Sequence, residues 1–157
     1  MSATPDDGGT VREAGQEDAP EIGRLLDAFN SEYGDPTPGA EWLAQRIATL
    51  LNSDTRVFVI GRPAVGLAVV RERLSLWADA PEWYLAELYV APQERGRGLG
   101  RALLERVVRA ARERGAASID LGTTEDDVAA RSLYESVGFT RFEGGDGGLA
   151  FFYELEL

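Results

Sequence analysis

One stretch of the sequence joins a strand, a glycine-rich turn and a long amphipathic helix, and it limits the fold more than any other. A strand predicted from Glu82 to Val90 leads to Gly96, Gly98 and Gly100. The helix that follows carries an apolar stripe at helical spacing, with Leu99, Leu103, Val107 and Ala110 on one face. Helix N-termini leave backbone N–H groups without partners and carry partial positive charge, so an anion is favoured there. The stretch therefore predicts an anion site at its turn.

Arginines surround this turn, where a helix start normally attracts acids. Arg95, Arg97 and Arg101 lie around the first turn, and the first acid inside the helix is Glu105. Each cation placed there costs about 0.3–1 kcal/mol unless an anion offsets it. A bound phosphate is the simplest explanation. The alternative is a solvated turn whose arginines point to water.

The turn lacks the marks of two common nucleotide-binding loops. A P-loop needs Gly-Lys followed by Ser or Thr, which is absent here. A dinucleotide fingerprint starting at Gly98-x-Gly100 needs a small third residue, and that position is Leu103. Asp120 does follow about 20 residues on, as a ribose-binding acid would, so the dinucleotide interpretation stays as a minor alternative.

Two ordered motifs resemble those of the GNAT superfamily of N-acetyltransferases. The first is Val90-x-Pro92-x-x-Arg95-Gly96-x-Gly98-Leu99-Gly100-x-x-Leu103, which is similar to the acetyl-CoA loop of that family. The second is Ala130-Arg131-Ser132-Leu133-Tyr134-Glu135-Ser136-Val137-Gly138-Phe139, which is similar to its Ala-x-x-Leu-Tyr-x-x-x-Gly-Phe signature. The close match covers residues 84 to 142.

The resemblance implies an acetyl-CoA site. It assigns backbone contacts with pantetheine to Leu88, Tyr89 and Val90, and pyrophosphate contacts to the turn. The turn residues are Arg95, Gly96, Arg97, Gly98, Leu99, Gly100 and Arg101. Asp127 and Ala130 complete the predicted cofactor contacts, although the family commonly has asparagine where this chain has Asp127. No metal is expected.

The same resemblance implies acetyl transfer to an amine by direct attack, without a covalent acyl-enzyme. Glu87 is the candidate base, because the family often places a carboxylate on this strand, and Tyr134 is the candidate acid for the leaving thiolate. Glu82 or a water chain is an alternative base. Glu87 is also compatible with a solvent-facing strand position, and Tyr134 with a core aromatic.

The acceptor is predicted from charge and position. In the family the first two helices border the acceptor pocket, so Glu32, Tyr33 and Trp42 are candidate contacts. Glu82, at the start of the predicted strand, is a further candidate at the rim of the pocket. The chain has 16 basic and 27 acidic residues, a net charge of −11. This charge favours a small cationic amine and disfavours nucleic acid and anionic membranes. Scattered solvated acids are the alternative.

Length and missing residue types limit the remaining classes. The 157 residues fit one domain, predicted over residues 10–157 after a disordered tail at 1–9. The chain has no Cys and no His, which excludes thiolate nucleophiles, a serine–histidine triad and zinc held by those ligands. Without an apolar run of about 20 residues or a signal peptide, a cytoplasmic protein is expected. The resemblance is compatible with a homodimer.

The predicted fold is α+β, with a mixed, mostly antiparallel sheet of about six to seven strands and about four helices. A capping box is predicted at Asp18 and Glu21, and a terminal hairpin is predicted between residues 139–142 and 149–155. Two other functional classes stay open. One is a non-catalytic acyl-CoA sensor, and the other is a dinucleotide-dependent oxidoreductase.

Overall fold

The computed structural model describes residues 9–157, so the tail predicted at 1–9 lies, apart from Gly9, outside the described residues. The chain divides into two compact units, one ending at Asp120 and the other running from Leu121 to Leu157. A single domain over residues 10–157 stays a prediction. None of the helices between Gly9 and Leu157 combines the length and the apolar character that crossing a bilayer requires.

The first unit contains one five-stranded sheet whose strands follow the chain in order. The strands are β1 (Val11–Glu13), β2 (Thr55–Ile60), β3 (Gly66–Leu74), β4 (Pro81–Val90) and β5 (Ser118–Asp120). Neighbouring strands are antiparallel except β4 and β5, which are parallel. The mixed, mostly antiparallel α+β architecture is confirmed, and the sheet has five strands where six to seven were predicted.

Three helices of this unit cover the two faces of the sheet. They are α1 (Ala19–Tyr33), α2 (Ala40–Leu50) and α3 (Leu99–Glu113). Ile22 of α1 and Ile47 of α2 pack in one core cluster with Val57 and Val69 of the sheet. Successive strand side chains point to opposite faces. Phe58 therefore faces the other side, where Arg106 of α3 lies 5.2 Å from its ring centre.

A glycine allows α1 and α2 to approach closely. A Cβ atom built on Gly23 would lie 2.5 Å from the carbonyl oxygen of Ala40 and 2.6 Å from the backbone nitrogen of Ala44. Such distances are below van der Waals contact, so a side chain at this position would push the two helices apart. Gly23 thus fixes the spacing of the helix pair expected to border the acceptor.

The capping box predicted at the start of α1 is wrong. Asp18 precedes α1 but makes no side-chain cap hydrogen bond. Its carboxylate accepts hydrogen bonds from Arg12 at 2.6 and 2.8 Å and from the N–H of Gly15 at 2.8 Å. Glu21 instead accepts from the N–H of Ala64 at 2.5 Å. A charged partner on β1 attracts Asp18, and Pro20 has no N–H to offer it.

The second unit contains α4 (Val128–Val137), which ends at Gly138 with a left-handed φ of 110°. The terminal hairpin predicted after it is wrong as a two-stranded element. Phe142 and Leu149 form one isolated antiparallel bridge, and no strand continues from it. A two-stranded hairpin is marginally stable by itself, and the connecting glycines lose much conformational freedom when they are ordered.

Candidate active site

Glu87 lies on β4 directly opposite Val69 of β3. The pairing shifts between the Val69–Glu87 and Val70–Leu85 partners, which leaves Ala86 as a β-bulge. Opposite residues of an antiparallel pair share a face, so Glu87 projects to the face of Val69, which α1 and α2 cover. Glu87 is half-buried, and this burial raises the pKa of its carboxyl above the ordinary range.

Glu82 has a different environment at the start of the same strand. Its carboxylate accepts a hydrogen bond from Nε of Arg73 at 3.2 Å, and Arg73 also donates to Asp120 at 2.8 Å. A hydrogen bond from Ser75, and then the one from Arg73, lower the pKa of Glu82 below its ordinary range. The two candidate bases therefore differ in the direction of their pKa shifts.

The glycine turn connects β4 to α3, as the sequence predicted. A short 3₁₀ turn at Pro92–Glu94 is followed by Gly96 and Gly98, whose φ angles of 79° and 78° are ones that residues with a Cβ resist. Gly98 is the N-cap of α3, and its carbonyl accepts from the N–H of Ala102 at 3.0 Å. The backbone N–H groups before that of Ala102 lie outside the regular hydrogen-bond pattern of the helix, so this end of the helix favours an anion.

Each of the three arginines around the turn has an acidic partner in the first unit. Arg95 pairs with Glu32 at 2.7 Å, and Arg101 approaches Glu105 at 3.6 Å. Arg97 pairs with Glu94. The excess of positive charge inferred from the sequence is therefore overstated, because these carboxylates offset it. The backbone N–H groups at the start of α3, rather than free guanidinium groups, are therefore the feature of the turn that favours an anion.

The end of β4 has one edge bonded to β3 and one edge turned away from it. The N–H of Ala91 donates to the carbonyl of Val65 at 2.8 Å, which marks a hydrogen-bonded pair. Antiparallel pairs alternate, so Tyr89 bonds to β3, whereas Leu88 and Val90 turn their backbone groups away. Of the three predicted pantetheine contacts, Leu88 and Val90 have the suitable backbone direction.

The parallel pairing of β4 with β5 is short. It joins Glu82–Tyr84 to Ser118–Asp120, and β5 ends there while β4 continues to Val90. Beyond Tyr84, the edge of β4 that faces away from β3 carries no paired strand among the described residues.

The predicted acceptor contacts on the helices lie on either side of the 34–39 loop. Tyr33 ends α1 and is 62% exposed, and its ring packs edge-on against that of Phe29 with the ring centres 5.4 Å apart. Trp42 lies in the first turn of α2, is 48% exposed, and has the guanidinium of Arg46 5.2 Å from its ring centre. Glu32 lies beside Tyr33, but its carboxylate is held by Arg95.

In the second unit, α4 carries Tyr134, Ala130 and, at its N-cap, Asp127. The carboxylate of Asp127 accepts a hydrogen bond from the N–H of Ala130 at 3.2 Å. Aspartate and asparagine are both favourable N-caps, so Asp127 keeps the capping role that an asparagine could also fill. The ring of Tyr134 packs edge-on against Phe139, with centroids 6.0 Å apart.

The sequence matches the Acetyltransferase (GNAT) family over residues 22–139, which is most of the chain. This chain belongs to the GNAT acetyltransferase family. Both predicted motifs fall inside or at the edge of the matched range. The family assignment made from the turn and the Tyr134 segment is therefore confirmed.

Individual GNAT relatives match over different lengths. The aminoglycoside N(6')-acetyltransferase type 1 of Stenotrophomonas maltophilia is 29% identical over 137 residues, covering 85% of this chain and 88% of that protein. The mycothiol acetyltransferase of Beutenbergia cavernae is 41% identical over 69 residues, which are 42% of this chain. The present chain spans only 23% of the length of that mycothiol relative.

Solved structures support the GNAT fold. A crystal structure from Arthrobacter sp. FB24, assigned to the acetyltransferases, has a TM-score of 0.87 and 38% identity, covering 100% of this chain and 99% of its own. An aminoglycoside acetyltransferase from an uncultured soil metagenomic sample, in complex with sisomicin, has a TM-score of 0.74 at 19% identity, covering 94% and 96%. At that identity the second likeness concerns the fold alone.

Two features of this GNAT site could not be read from the sequence. One is the bulge at Ala86, which is an irregularity of pairing and has no residue signature here. The other is the contact between Arg95 and Glu32, which are 63 positions apart. Opposite charge is the only sequence signal for that contact, and many other pairs in the chain share it.

Proposed function

We propose that this GNAT-family protein transfers an acetyl group from acetyl-CoA to a primary amine by direct attack in a ternary complex. The observation that carries the proposal is the position of Glu87. It follows a bulge, is half-buried, and lies on the strand that leads into the glycine turn. A base of this kind and an anion site at the next turn are the two parts that such a reaction needs.

Glu87 serves as the general base. A protonated amine has no free electron pair, so a proton must pass to a carboxylate before the nitrogen attacks the thioester carbonyl. The best base has a pKa close to the working pH, and burial moves the pKa of Glu87 in that direction. The hydrogen bonds from Ser75 and Arg73 move the pKa of Glu82 away from it. We therefore favour Glu87 over Glu82.

The donor is held by the glycine turn and the end of β4. The first-turn N–H groups of α3 bind the pyrophosphate, where the helix dipole favours negative charge. The outward N–H and carbonyl of Leu88 and the outward N–H of Val90 bind pantetheine, while the carbonyl of Val90 accepts from Nε of Arg95. Collapse of the tetrahedral adduct breaks the C–S bond, and the hydroxyl of Tyr134 gives its proton to the leaving thiolate. The second proton lost by the attacking nitrogen restores the hydroxyl of Tyr134 and leaves a neutral amide. No acyl-enzyme forms.

The acceptor that we propose is a small amine with more than one positive charge. The net charge of −11 supports it, and so do the exposed aromatic rings of Tyr33 and Trp42, which can stack on cations. The relative that aligns along most of the chain is named an aminoglycoside acetyltransferase, and aminoglycosides carry several amino groups. Glu82 adds negative charge at the start of β4, the end of the strand away from the glycine turn.

Two measurements test the function. Acetyl-CoA should raise the thermal midpoint of the protein, whereas NAD should not, and acetyl-CoA should be consumed with at least one member of a panel of amines. Binding without turnover across a broad panel would favour the acyl-CoA sensor. Stabilisation by NAD alone would favour the oxidoreductase.

Salt dependence tests the acceptor class. Attraction between opposite charges is screened over about 10 Å at 0.1 M salt. The kcat/KM for a polyamine should therefore fall as salt rises from low to physiological concentration, and kcat/KM for a monoamine should fall less. A best substrate that is an anionic amino acid would contradict the proposal.

A further inference from the structure

Near the glycine turn, the side chains of Glu32 and Arg95 form an ion pair through two separate N···O contacts. The two terminal nitrogens of Arg95 approach the two carboxylate oxygens of Glu32, at 2.7 and 2.9 Å. This is the paired geometry in which arginine binds carboxylates most strongly. The hydroxyl of Tyr89 donates to the same carboxylate at 3.0 Å.

The remaining nitrogen of Arg95 fixes the end of β4. Its Nε donates to the carbonyl of Val90 at 2.9 Å, and its guanidinium lies 5.6 Å from the ring centre of Tyr89. Arg95 immediately precedes Gly96, where the left-handed turn begins. One side chain thus joins the last turn of α1, the end of β4 and the first residue of the turn.

The Glu32 side of the contact is also held in place, by Tyr89 and by the packing of α1. Tyr89 is 4% exposed and stacks on Phe29 of α1, with ring centres 4.8 Å apart. Phe29 lies one helical turn before Glu32, so both face the end of β4. The hydrogen bond from Arg95, and to a smaller extent the one from Tyr89, lower the pKa of Glu32, which keeps its carboxylate charged.

Glycines have wide backbone freedom, so a turn that contains three of them loses considerable entropy when it is held in one shape. A fixed residue at its start reduces the part of this cost that falls on ligand binding. Arg95 occupies that place, and its orientation depends on Glu32.

We infer that Glu32 is a positioning residue for acetyl-CoA, acting through Arg95 on the glycine turn, and not a contact of the acceptor. This inference rests on the proposed function. It links the acceptor-side helix α1 to donor affinity. The inference also means that the Arg95 side chain does not contact the phosphate directly, because its guanidinium already binds the carboxylate of Glu32 and the carbonyl of Val90.

The first test is Glu32→Gln, which keeps the shape of the side chain and removes its charge. We expect the Kd and KM for acetyl-CoA to rise about two- to fivefold, in line with a partly exposed charged pair. The kcat and the KM for the amine should stay within about twofold, because neither depends on this contact. The control is Glu113→Gln, the same charge change at the far end of α3, which should leave all four values unchanged.

A double-mutant cycle separates the indirect role from a direct one. If Glu32 acts through Arg95, the acetyl-CoA Kd of the Glu32→Gln/Arg95→Gln protein should equal that of Arg95→Gln alone. Additive losses would show that Arg95 acts independently of Glu32 and would overturn the inference. A rise in the KM for the amine, with acetyl-CoA affinity unchanged in Glu32→Gln, would overturn it as well.

Arg95→Lys provides a second variant in case Glu32→Gln does not fold. Lysine keeps the charge but lacks the planar fork that binds Glu32 and Val90 together. Acetyl-CoA affinity should fall in Arg95→Lys nearly as far as in Arg95→Gln, and wild-type affinity in Arg95→Lys would overturn the inference. Failure of the wild-type protein to bind acetyl-CoA would instead refute the proposed function.

Discussion

Glu87 lies opposite Val69, one residue beyond the bulge at Ala86. Leu85, before the bulge, pairs with Val70 and shares its face. With regular alternation Glu87 would share that face too, because the side-chain period of a strand is two. The bulge turns the carboxylate to the face covered by α1 and α2. A single extra residue in β4 thus decides on which side of the sheet the candidate base lies.

Glu87→Gln should lower kcat/KM for the amine by about 10²–10⁴-fold, the usual contribution of general acid–base catalysis. The wild-type activity should rise with pH as Glu87 loses its proton, and the variant should lose this step of the pH profile. Glu82→Gln serves as the comparison and should cost much less. A larger loss in Glu82→Gln would transfer the role of base to Glu82.

The same substitution should stabilise the protein at neutral pH. Burial raises the pKa of Glu87 in the folded state, so its ionised form is disfavoured and the wild-type protein loses stability as pH rises through that pKa. Glutamine carries no such penalty. Thermal unfolding should show a higher midpoint for Glu87→Gln at pH 7, and the difference should shrink below about pH 4.3, the ordinary pKa of Glu. An equal or lower midpoint at pH 7 would contradict the assigned burial effect.

Gly100→Glu tests the anion site at the start of α3. Gly100 lies in the first helical turn and has no positive φ, so its backbone does not oppose a side chain, whereas a side chain at Gly98 with φ 78° would be strained. An acid at a helix start stabilises the helix by about 0.3–1 kcal/mol but repels a phosphate. We expect an unchanged or higher melting temperature together with acetyl-CoA affinity reduced at least tenfold.

Gly100→Gln is the matched control for that prediction, because it adds the same volume without the charge. If the glutamine variant binds acetyl-CoA much better than the glutamate variant, phosphate repulsion is the cause. Equal and near-normal affinity in both variants would place the donor elsewhere. Isothermal titration with acetyl-CoA measures both.

Tyr134→Phe should lower kcat far more than it raises the KM for acetyl-CoA, because the hydroxyl is needed when the thiolate leaves. The phenylalanine ring keeps the edge-on contact with Phe139, so the packing of the ring should persist. An unchanged kcat would remove Tyr134 from the mechanism. Loss of folding in this variant would support the core-aromatic alternative.

Asp18→Asn should destabilise the protein by about 1–3 kcal/mol at pH 7, because it weakens nearly buried hydrogen bonds with Arg12 and Gly15. The hydrogen bond from Arg12 is the main cause that lowers the pKa of Asp18. Its stabilisation is therefore complete above about pH 3.9, the ordinary pKa of Asp, and is lost as pH falls through the lowered folded pKa.

Urea unfolding at pH 7 and at strongly acid pH measures this difference. Asp35→Asn, at an exposed aspartate after α1, is the control and should change the free energy of unfolding by less than about 0.5 kcal/mol. A destabilisation by Asp18→Asn that does not decrease at acid pH would show that charge is not its source.

Local pattern was enough to predict most elements. The strand before the glycine turn and the apolar stripe of α3 were predicted correctly, because alternation, glycine turns and helical spacing are read within one segment. The terminal hairpin failed because residues 149–155 have the composition of a strand, but a strand also requires a partner edge.

The sequence by itself determined the family and the unit of β4, glycine turn and α3, because both motifs are contiguous and their glycines act on their own backbone. Only the tertiary structure decided which charges meet. Asp18 pairs with Arg12 rather than capping α1, and Glu32 holds Arg95 across 63 positions. Such pairs depend on where the folded chain brings two side chains together, and attraction between opposite charges carries no information about sequence separation. For the same reason, the direction of Glu87 could be settled only once the strands were paired.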